Sequence, residues 1–388
     1  MKICLISNLY KPHTRGGAEN IVDYTANEFQ KTGHEVVIIS TKPDKGLSVV
    51  KEDKIVIYRF KPLNLFYYLN DYKHNIISRL LWHIIDTFNF WDAKKVFNIL
   101  KTERPDVVIT HNLKGISLQI PRVIKKIKVK HIHILHDVQL AVASGLIIKD
   151  QENSLLINGF VSKIYQLITK RIFYNVDIVI SPSKWLLNFY KNKGFFINSK
   201  NIVIPNPVNN QAFSVNIKTN KQNNYIFVGQ IEKHKGIEWL INLWQKNNVK
   251  ANLIILGKGT LAIKQLIKND RIQYLGVKYN SDLITELKKA DFLILPSLCY
   301  ENSPTVIPLA YQNATSVIVA NIGGAGELVD ENETGYLFEA GNEKQLSEII
   351  QKTQDLSNQE FITLSQNCLN YSKRLNLNDY IKQLESLF

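Results

Sequence analysis

Short apolar runs rich in Ile, Val and Leu alternate along the chain with stretches whose apolar residues recur every three or four positions. The first pattern is typical of buried strands and the second of helices packed on one face, so their alternation predicts βαβ units around mainly parallel sheets. Thirteen strands are predicted, at 3–7, 35–40, 55–60, 106–110, 131–135, 177–180 and 202–204, and then at 225–228, 252–256, 272–275, 292–295, 316–320 and 336–338.

The two series of strands are separated by Pro205-Asn206-Pro207-Val208-Asn209-Asn210 and a polar stretch that continues to Asn224. A chain of 388 residues also exceeds the roughly 100 to 200 residues of one domain. We therefore predict two Rossmann-like α/β domains, residues 1–210 and 211–372, with the ligand site in the cleft at the carboxyl ends of their strands. A terminal helix at 379–388 either closes the second domain or crosses to the first.

The composition excludes several classes of protein. A hydrophobic share of 45% is that of a folded chain, and three scattered cysteines, Cys4, Cys299 and Cys368, are too few for a disulfide framework or a metal cage. The first residues resemble a strand rather than a signal peptide, and no run of about 18 apolar residues is present. A reducing, cytoplasmic location follows, with surface attachment to a membrane left open.

Three loops that follow predicted strands carry the chemistry. Gly16-Gly17 precedes a helix, Lys235-Gly236 precedes another, and Glu301 lies in a polar loop after the strand that ends at Pro296. Glycine lets the backbone approach a ligand, a helix N-terminus offers N–H groups to an anion, and a lysine there reaches a phosphate. Each loop alone also has a purely structural explanation, as a tight turn or a surface Lys-Gly pair.

The ordered set of such segments resembles the retaining glycosyltransferases of family GT4, over nearly the whole chain. The matching segments are Gly16-Gly17-Ala18-Glu19, His136-Asp137, Ile204-Pro205-Asn206, Phe227-Val228-Gly229 with Lys235-Gly236, Ala290-Asp291 through Pro296-Ser297, Tyr300-Glu301, and Gly323-Gly324 with Glu327. The resemblance implies the GT-B fold, with two facing Rossmann-like domains. It further implies a nucleotide-sugar donor held by the second domain, an acceptor near the first, and a last helix, at about 373–388, that crosses back.

The resemblance also assigns roles. Lys235 matches the lysine that neutralises the donor diphosphate, Glu301 the carboxylate that contacts sugar hydroxyls, and His136 the histidine over the donor sugar; these three are the predicted catalytic residues. His136 could instead be a structural histidine at a strand end, and His111 has a similar position with less support from the motifs. The predicted donor-binding set is Gly16, Gly17, Gln230, Lys235, Gly257, Gly276, Glu301, Asn302, Ser303, Pro304, Thr305, Val306 and Leu309.

Two positions depart from the family pattern. Leu309 stands where the second glutamate of the Glu-x7-Glu signature would contact the ribose, and Gln230 stands where many relatives have an arginine beside the diphosphate. Losing one charge-assisted hydrogen bond costs about 1.5 to 3 kcal/mol, so both changes weaken donor binding. The sequence contains no Asp-x-Asp clamp, and the acidic segment 330–335 is better explained as a turn, so a transfer without metal or cofactor is expected.

The positive charge has its own interpretation. The net charge is +14, and Lys125, Lys126, Lys128 and Lys130 lie within six residues, while residues 64–91 mix aromatic with basic side chains. This combination favours an anionic membrane or a lipid-linked acceptor. Nucleic acid is a competing partner that no motif supports, and an aromatic core with solvated lysines remains the plain alternative.

The sequence therefore predicts a retaining, metal-independent glycosyltransferase that transfers a sugar to a lipid-linked or saccharide acceptor in cell-surface polysaccharide or glycolipid biosynthesis. The alternative is a catalytically weak GT-B partner subunit that stabilises or targets an active enzyme. Leu309 and Gln230 motivate this alternative, and the intact Lys235 and Glu301 argue against it.

Overall fold

The computed structural model describes residues 1–208, 217–247, 249–259 and 262–388. The chain forms two compact units, which are called unit 1 and unit 2. Unit 1 comprises Met1–Leu146, Asn153–Asn206 and Leu377–Phe388, and unit 2 comprises Ile147–Glu152 and Pro207–Asn376. The boundary predicted at residue 210 lies outside the described residues. The return to unit 1 begins at Leu377 rather than 373, because residues 373 and 374 end a helix of unit 2.

Unit 1 is built on an eight-stranded sheet of order β3-β4-β2-β1-β5-β6-β7-β8. Its strands are β1 Lys2–Ile6, β2 Glu35–Thr41, β3 Leu47–Glu52, β4 Ile55–Phe60, β5 Val107–Thr110, β6 Lys130–Ile134, β7 Ile178–Ser181 and β8 Lys200–Val203. All neighbours pair in parallel except β3 with β4. β5 and β7 are buried along their whole length, as expected for parallel strands covered on both faces.

Strand β3 is the one strand of the described chain that the sequence pattern missed. It is antiparallel to β4, lies at the sheet edge, and has five of its six residues exposed. An edge strand pairs on one side only and needs no buried apolar run, so the pattern used for the other strands does not detect it.

The helices of unit 1 are α1 Gly17–Lys31, α2 Ile76–Thr87, α3 Phe90–Glu103, α4 Ile120–Ile127, α5 Leu155–Asn158, α6 Phe160–Phe173, α7 Lys184–Asn192 and, from the C-terminus, α14 Leu377–Glu385. Leu377, Tyr380, Ile381 and Leu384 of α14 are buried in the same core cluster as Val22 of α1. Hydrophobic burial of this face therefore fixes the end of the chain to unit 1.

Unit 2 has a six-stranded, wholly parallel sheet of order β11-β10-β9-β12-β13-β14. Its strands are β9 Asn224–Val228, β10 Asn252–Leu256, β11 Ile272–Gly276, β12 Phe292–Leu295, β13 Ser316–Ala320 and β14 Gly335–Phe338. Its helices are α8 Ile237–Lys246, α9 Ile263–Leu266, α10 Asn280–Lys289, α11 Val306–Gln312, α12 Glu343–Asp355 and α13 Asn358–Arg374.

Parallel strands place the loops that follow them at one edge of each sheet. In unit 2 this carboxyl edge holds Gln230 after β9, Gly257 after β10, and Glu301 in the loop after β12. In unit 1 it holds Gly16 and Gly17 after β1, and His136 after β6. The predicted residues therefore lie on the edge of each sheet where parallel α/β folds carry their sites.

Candidate functional site

The loop between β9 and α8 lies against the end of β12. Gly236, just before α8, has φ +73°, and a Cβ atom there would stand 1.8 Å from the carbonyl oxygen of Pro296. The backbone N–H of Leu298 donates to the carbonyl of His234 at 2.9 Å. Only glycine permits this approach, and it brings the Lys235 turn beside the loop that carries Glu301.

Lys235 and Glu301 form an ion pair at the centre of this site. Lys235 Nζ lies 2.6 Å from Glu301 Oε1, and Ser297 Oγ donates to the same oxygen at 2.7 Å. Burial is the largest single effect and favours the neutral form of each group, but charge attraction and hydrogen bonds together outweigh it, so the pKa of Glu301 is lowered and the pKa of Lys235 is raised. Both side chains are therefore charged at neutral pH, and each neutralises the other.

The backbone of Glu301 is itself held from two sides. The N–H of Gly324, after β13, donates to the carbonyl of Glu301 at 2.6 Å, and a Cβ atom on Gly323 would stand 2.2 Å from the same oxygen. On the other side, the segment Ile147–Glu152 pairs with the loop, because Lys149 N–H donates to Leu298 and Tyr300 N–H donates to Ile147. The sequence pattern did not identify this segment, since its partner lies about 150 positions along the chain.

Further polar contacts attach the same segment to unit 2. Tyr300 Oη donates to Glu152 Oε1 at 2.8 Å, and Ile148 forms an antiparallel bridge with Cys299. Lys149 Nζ donates to the carbonyl of Ala340 and lies 3.3 Å from Glu339 Oε1. The loop that precedes Glu301 is therefore rigidly placed by a strand-like segment from the first half of the chain.

The predicted glycines at the ends of β10 and β11 meet the end of β9. A Cβ atom on Gly257 would stand 1.8 Å from the carbonyl oxygen of Gly229, and Gly257 N–H donates to Gly276 at 2.8 Å. Nothing lies within 4 Å of the Cβ position of Gly276, so the space beside it is open. Gln230, the residue after Gly229, is half-buried.

Residues 302–306 form the turn into α11, and all of them are half-buried. Ile307 N–H is bonded to the carbonyl of Pro304, whereas Leu309 N–H is bonded to Thr305. The Leu309 side chain is half-buried and packs against the core cluster that contains Ile307 and Ala310. The Leu309 side chain is therefore neither fully exposed to a pocket nor fully buried in the core.

In unit 1, Gly16 caps α1 in an extended conformation. Its N–H donates to Glu19 Oε2 at 2.9 Å, and no atom lies within 4 Å of its Cβ position. Gly17 begins the helix itself. The neighbouring Arg15 pairs with Asp71 at 3.0 Å and lies over the ring of Tyr68. The loop thus presents backbone beside open space, as a ligand-binding glycine loop requires.

His136 is paired with a second histidine. His111 Nδ1 and His136 Nε2 lie 2.9 Å apart, and the two rings are stacked. Burial lowers the pKa of His136 to about 4 and that of His111 well below its usual value. Both rings are therefore neutral at pH 7, so one donates its proton to the other and each sets the tautomer of its partner. Motif reasoning gave His111 a weaker place than this geometry does.

Asp137 and Lys114 also lie at the carboxyl edge of the unit 1 sheet. Asp137 Oδ1 accepts from Gln139 N–H at 2.7 Å, so it holds the loop that follows β6. Lys114, which sequence reasoning missed, donates to the carbonyl of Ala143 at 2.9 Å and lies 5.6 Å from the centre of the Tyr68 ring. Burial lowers the pKa of Lys114 to about 8 against the attraction of Asp137. Nothing in the sequence around Lys114 marks it.

Comparison with known proteins decides the family. The profile described as "Glycosyltransferase Family 4" matches residues 15–212, and the profile described as "Glycosyl transferases group 1" matches residues 209–374. The chain belongs to this glycosyltransferase family. The enzyme is 28% identical over 330 residues, 84% of this chain and 87% of the other, to an uncharacterized 42.6 kDa protein in the cps region of Klebsiella pneumoniae. It is 27% identical to an uncharacterized glycosyltransferase of Methanocaldococcus jannaschii over 284 residues, which cover 71% of this chain and 73% of the other.

Solved structures agree in fold. Sucrose-phosphate synthase from Thermosynechococcus elongatus superposes with a TM-score of 0.75 at 17% identity, over 100% of this chain and 98% of that one. HepE from Anabaena, solved in complex with UDP, superposes with a TM-score of 0.69 at 16% identity, over 100% of this chain and 99% of that one. The predicted GT-B fold is thereby confirmed.

Two features are absent from the residues that the structure describes. No helix there is long and apolar enough to cross a bilayer. Within the same residues, no group of three or more His, Cys, Asp or Glu side chains is arranged to hold a metal ion.

The buried histidines predict an acid-sensitive fold. Burial lowers the pKa of five histidines in unit 1. It lowers the pKa of His83 and His131 to about 3 and that of His136 to about 4, and it holds the pKa values of His111 and His133 well below the usual value. Unfolded, they protonate near their usual value of 6.5. Between pH 6.5 and about pH 4 the unfolded state therefore binds more protons than the folded state. The contribution of these neutral histidines to the free energy of unfolding is complete above pH 6.5 and is lost as the pH falls through this range.

In unit 1 the raised pKa values of Asp86, about 7, Asp137, about 6, and Glu19 oppose this effect, but they involve three groups against five. We expect the melting temperature to fall between pH 7 and pH 5, and the fall to be smaller in His131→Gln, whose amide does not titrate. A melting temperature that is constant over this range would contradict the assignment of neutral buried histidines.

Proposed function

We propose that this glycosyltransferase is a retaining, metal-independent enzyme that transfers a sugar from a nucleoside-diphosphate sugar to a lipid-linked or saccharide acceptor. The observation that carries the proposal is the Lys235–Glu301 pair at the carboxyl edge of unit 2. The structures of HepE with UDP and with UDP-glucose support a nucleotide-sugar donor. The relative from a cps region supports a role in cell-surface polysaccharide or glycolipid biosynthesis.

The pair explains how donor binding is coupled to sugar recognition. Lys235 carries a positive charge that Glu301 balances, and a diphosphate would compete for the same ammonium group. Once Lys235 turns to the phosphates, Glu301 Oε1 keeps the hydroxyl of Ser297 and gains free acceptor capacity for a sugar hydroxyl. Lys235 then stabilises the charge that develops on the leaving diphosphate.

Retention of the anomeric configuration needs no nucleophile from the protein. The bond between the anomeric carbon and the diphosphate oxygen breaks, and the acceptor oxygen bonds to the same face of that carbon. The acceptor proton passes to the leaving phosphate oxygen. The protein contributes position and electrostatics, with neutral His136 as a hydrogen-bonding group for the donor sugar.

The matched pair of variants Lys235→Ala and Glu301→Gln tests this assignment. We expect Lys235→Ala to lower turnover about a hundredfold or more and to weaken binding of the free nucleoside diphosphate, because the phosphates lose their cation. Glu301→Gln releases Lys235 from its partner, so turnover should fall while nucleoside-diphosphate binding is kept. Donor hydrolysis and calorimetric binding measure the two effects.

Lys233→Ala is the control, since Lys233 is exposed on the same turn. Activity of Lys235→Ala within about threefold of the wild type would show that the phosphates lie elsewhere. If the wild type hydrolyses and binds no donor from a panel of nucleotide sugars, the chain is instead the catalytically weak partner subunit that Leu309 and Gln230 suggest.

Metal independence is tested separately with a chelator. We expect EDTA to leave the transfer rate unchanged, because Lys235 rather than a divalent ion neutralises the diphosphate in this proposal. Added Mg²⁺ or Mn²⁺ should likewise have no effect beyond ionic strength. Loss of activity in EDTA that Mn²⁺ restores would overturn this part of the mechanism.

Leu309→Glu restores the carboxylate of the family signature. Because Leu309 is half-buried, we expect the variant to fold with a modest loss of melting temperature. Nucleotide binding should tighten by up to about tenfold to a hundredfold through a hydrogen bond to the ribose. Leu309→Gln, with the same length and no charge, is the control and should gain less. A large destabilisation that nucleotide does not rescue would mean that position 309 packs as core and that the donor pocket is remodelled.

A further inference from the structure

Unit 1 exposes far more apolar side-chain surface than isolated surface residues explain. Leu155, Leu156, Phe160, Val161 and Leu167 of α5 and α6 are each 64% to 85% exposed. Single exposed apolar residues are ordinary, but a contiguous patch marks an interaction surface. We infer that α2 together with α5 and α6 binds the surface of an anionic lipid bilayer by inserting these side chains between the headgroups.

Helix α6 buries two polar side chains, Gln166 and Thr169, together with Ile172 and Phe173. Gln166 Nε2 donates to the carbonyls of Ala141 and Ile157 at 3.1 and 2.9 Å, and Thr169 Oγ1 donates to Leu140 at 2.7 Å. These bonds fix the rotation of the helix about its axis. The outward side, where a soluble helix normally carries its polar residues, instead presents an apolar stripe that begins at Phe160.

Helix α2 repeats this arrangement. Its inward face carries Trp82, whose Nε1 donates to Phe66 at 2.8 Å, and Asp86, which accepts from Gly115 N–H at 2.9 Å. Its outward face carries five residues that are 50% to 82% exposed: Ile76, Ile77, Leu80, Leu81 and Ile84. Trp91, at the start of α3, is 67% exposed and extends the surface with an aromatic ring suited to a bilayer interface.

The two apolar faces border the same edge of the sheet. Tyr165 of α6 donates to the carbonyl of Gln139, and Gln139 Nε2 donates to Asn112 Oδ1 at 2.7 Å. Three residues further along that loop, Gly115 contacts Asp86 of α2. Both helices therefore pack on the loops that follow β5 and β6, which are the loops that carry His111 and His136.

The charged residues around the apolar faces of α2, α5 and α6 indicate what kind of partner binds there. Residues 155–176 contain no Asp or Glu, and in residues 72–91 the single acidic residue, Asp86, is buried. The charged residues that remain are basic: Lys73, Arg79, Lys163, Lys170 and Arg171. An anionic bilayer complements both properties. A twofold interface between two copies would place these positive charges against each other, which disfavours self-association as the reason for the patch.

Helix α2 and Trp91 lie within residues 64–91, which we predicted from the sequence to favour a membrane together with the cluster Lys125, Lys126, Lys128 and Lys130, but that cluster lies apart from the proposed surface. Lys130 begins β6, so that cluster lies at the amino edge of the sheet, opposite His136. The inference concerns where the protein is held, and it stands or falls independently of the transfer reaction, because binding is measured without donor or acceptor.

Sedimentation with vesicles tests the inference. The wild type should bind vesicles of phosphatidylglycerol in phosphatidylcholine more tightly than phosphatidylcholine alone. The triple variant Leu155→Ser, Leu156→Ser, Phe160→Ser should bind at least about tenfold more weakly with its melting temperature unchanged, because the three side chains are exposed. The control variant Leu47→Ser, Val49→Ser removes exposed apolar residues of edge strand β3 and should bind like the wild type.

Tryptophan fluorescence gives a second measurement. Emission should shift to shorter wavelength on anionic vesicles. Trp91→Phe should reduce the shift, because Trp91 is the most exposed of the five tryptophans: Trp82 and Trp244 are buried, and Trp185 and Trp239 are half-buried. Equal binding by wild type and triple variant would overturn the inference. So would loss of binding when only Lys125, Lys126, Lys128 and Lys130 are changed to Gln. A wild type that ignores vesicles but forms dimers that the triple variant lacks would assign the surface to a second copy and also overturn it.

Discussion

Close contact between backbone segments at the carboxyl edge of unit 2 is the constraint on which the site depends. Gly236 lies against Pro296, Gly257 against Gly229, and Gly323 against Glu301, each at a distance that no Cβ atom allows. These contacts bring the loops after β9, β12 and β13 together, and the ion pair between Lys235 and Glu301 results from their position. A larger residue at any of these three glycines would separate the loops before it touched a ligand.

An ion pair placed in this way has two properties that matter for a transferase. The partly desolvated charges are stabilised while the site is empty, since each lowers the cost of burying the other. In the proposed mechanism, a diphosphate replaces Glu301 as the partner of Lys235 while Ser297 still donates to the carboxylate. Because Leu309 and Gln230 carry no charge, that mechanism relies on Lys235 to neutralise the diphosphate.

Unit 1 combines buried polar groups with exposed apolar ones. His111, His131 and His133 are buried, with His111 paired to the half-buried His136 and Thr110 bonded to the other two, whereas α2 and α6 turn apolar side chains outward. A protein selected only for solubility would show the reverse on its helices. Burial keeps these imidazoles neutral, and the exposed apolar faces of α2 and α6 are the ones that we infer bind a bilayer.

The sequence by itself determined the buried strands of the described residues and the α/β fold, because buried parallel strands are continuous apolar runs, and it predicted candidate site loops at their carboxyl ends. It missed β3, which is exposed at an edge. It also missed Lys114, the pairing of Ile147–Glu152 with the Glu301 loop, and the direction in which α6 faces. Only the tertiary structure decided these, because they join residues far apart in the chain, and local periodicity shows that a helix has two faces without showing which one is buried.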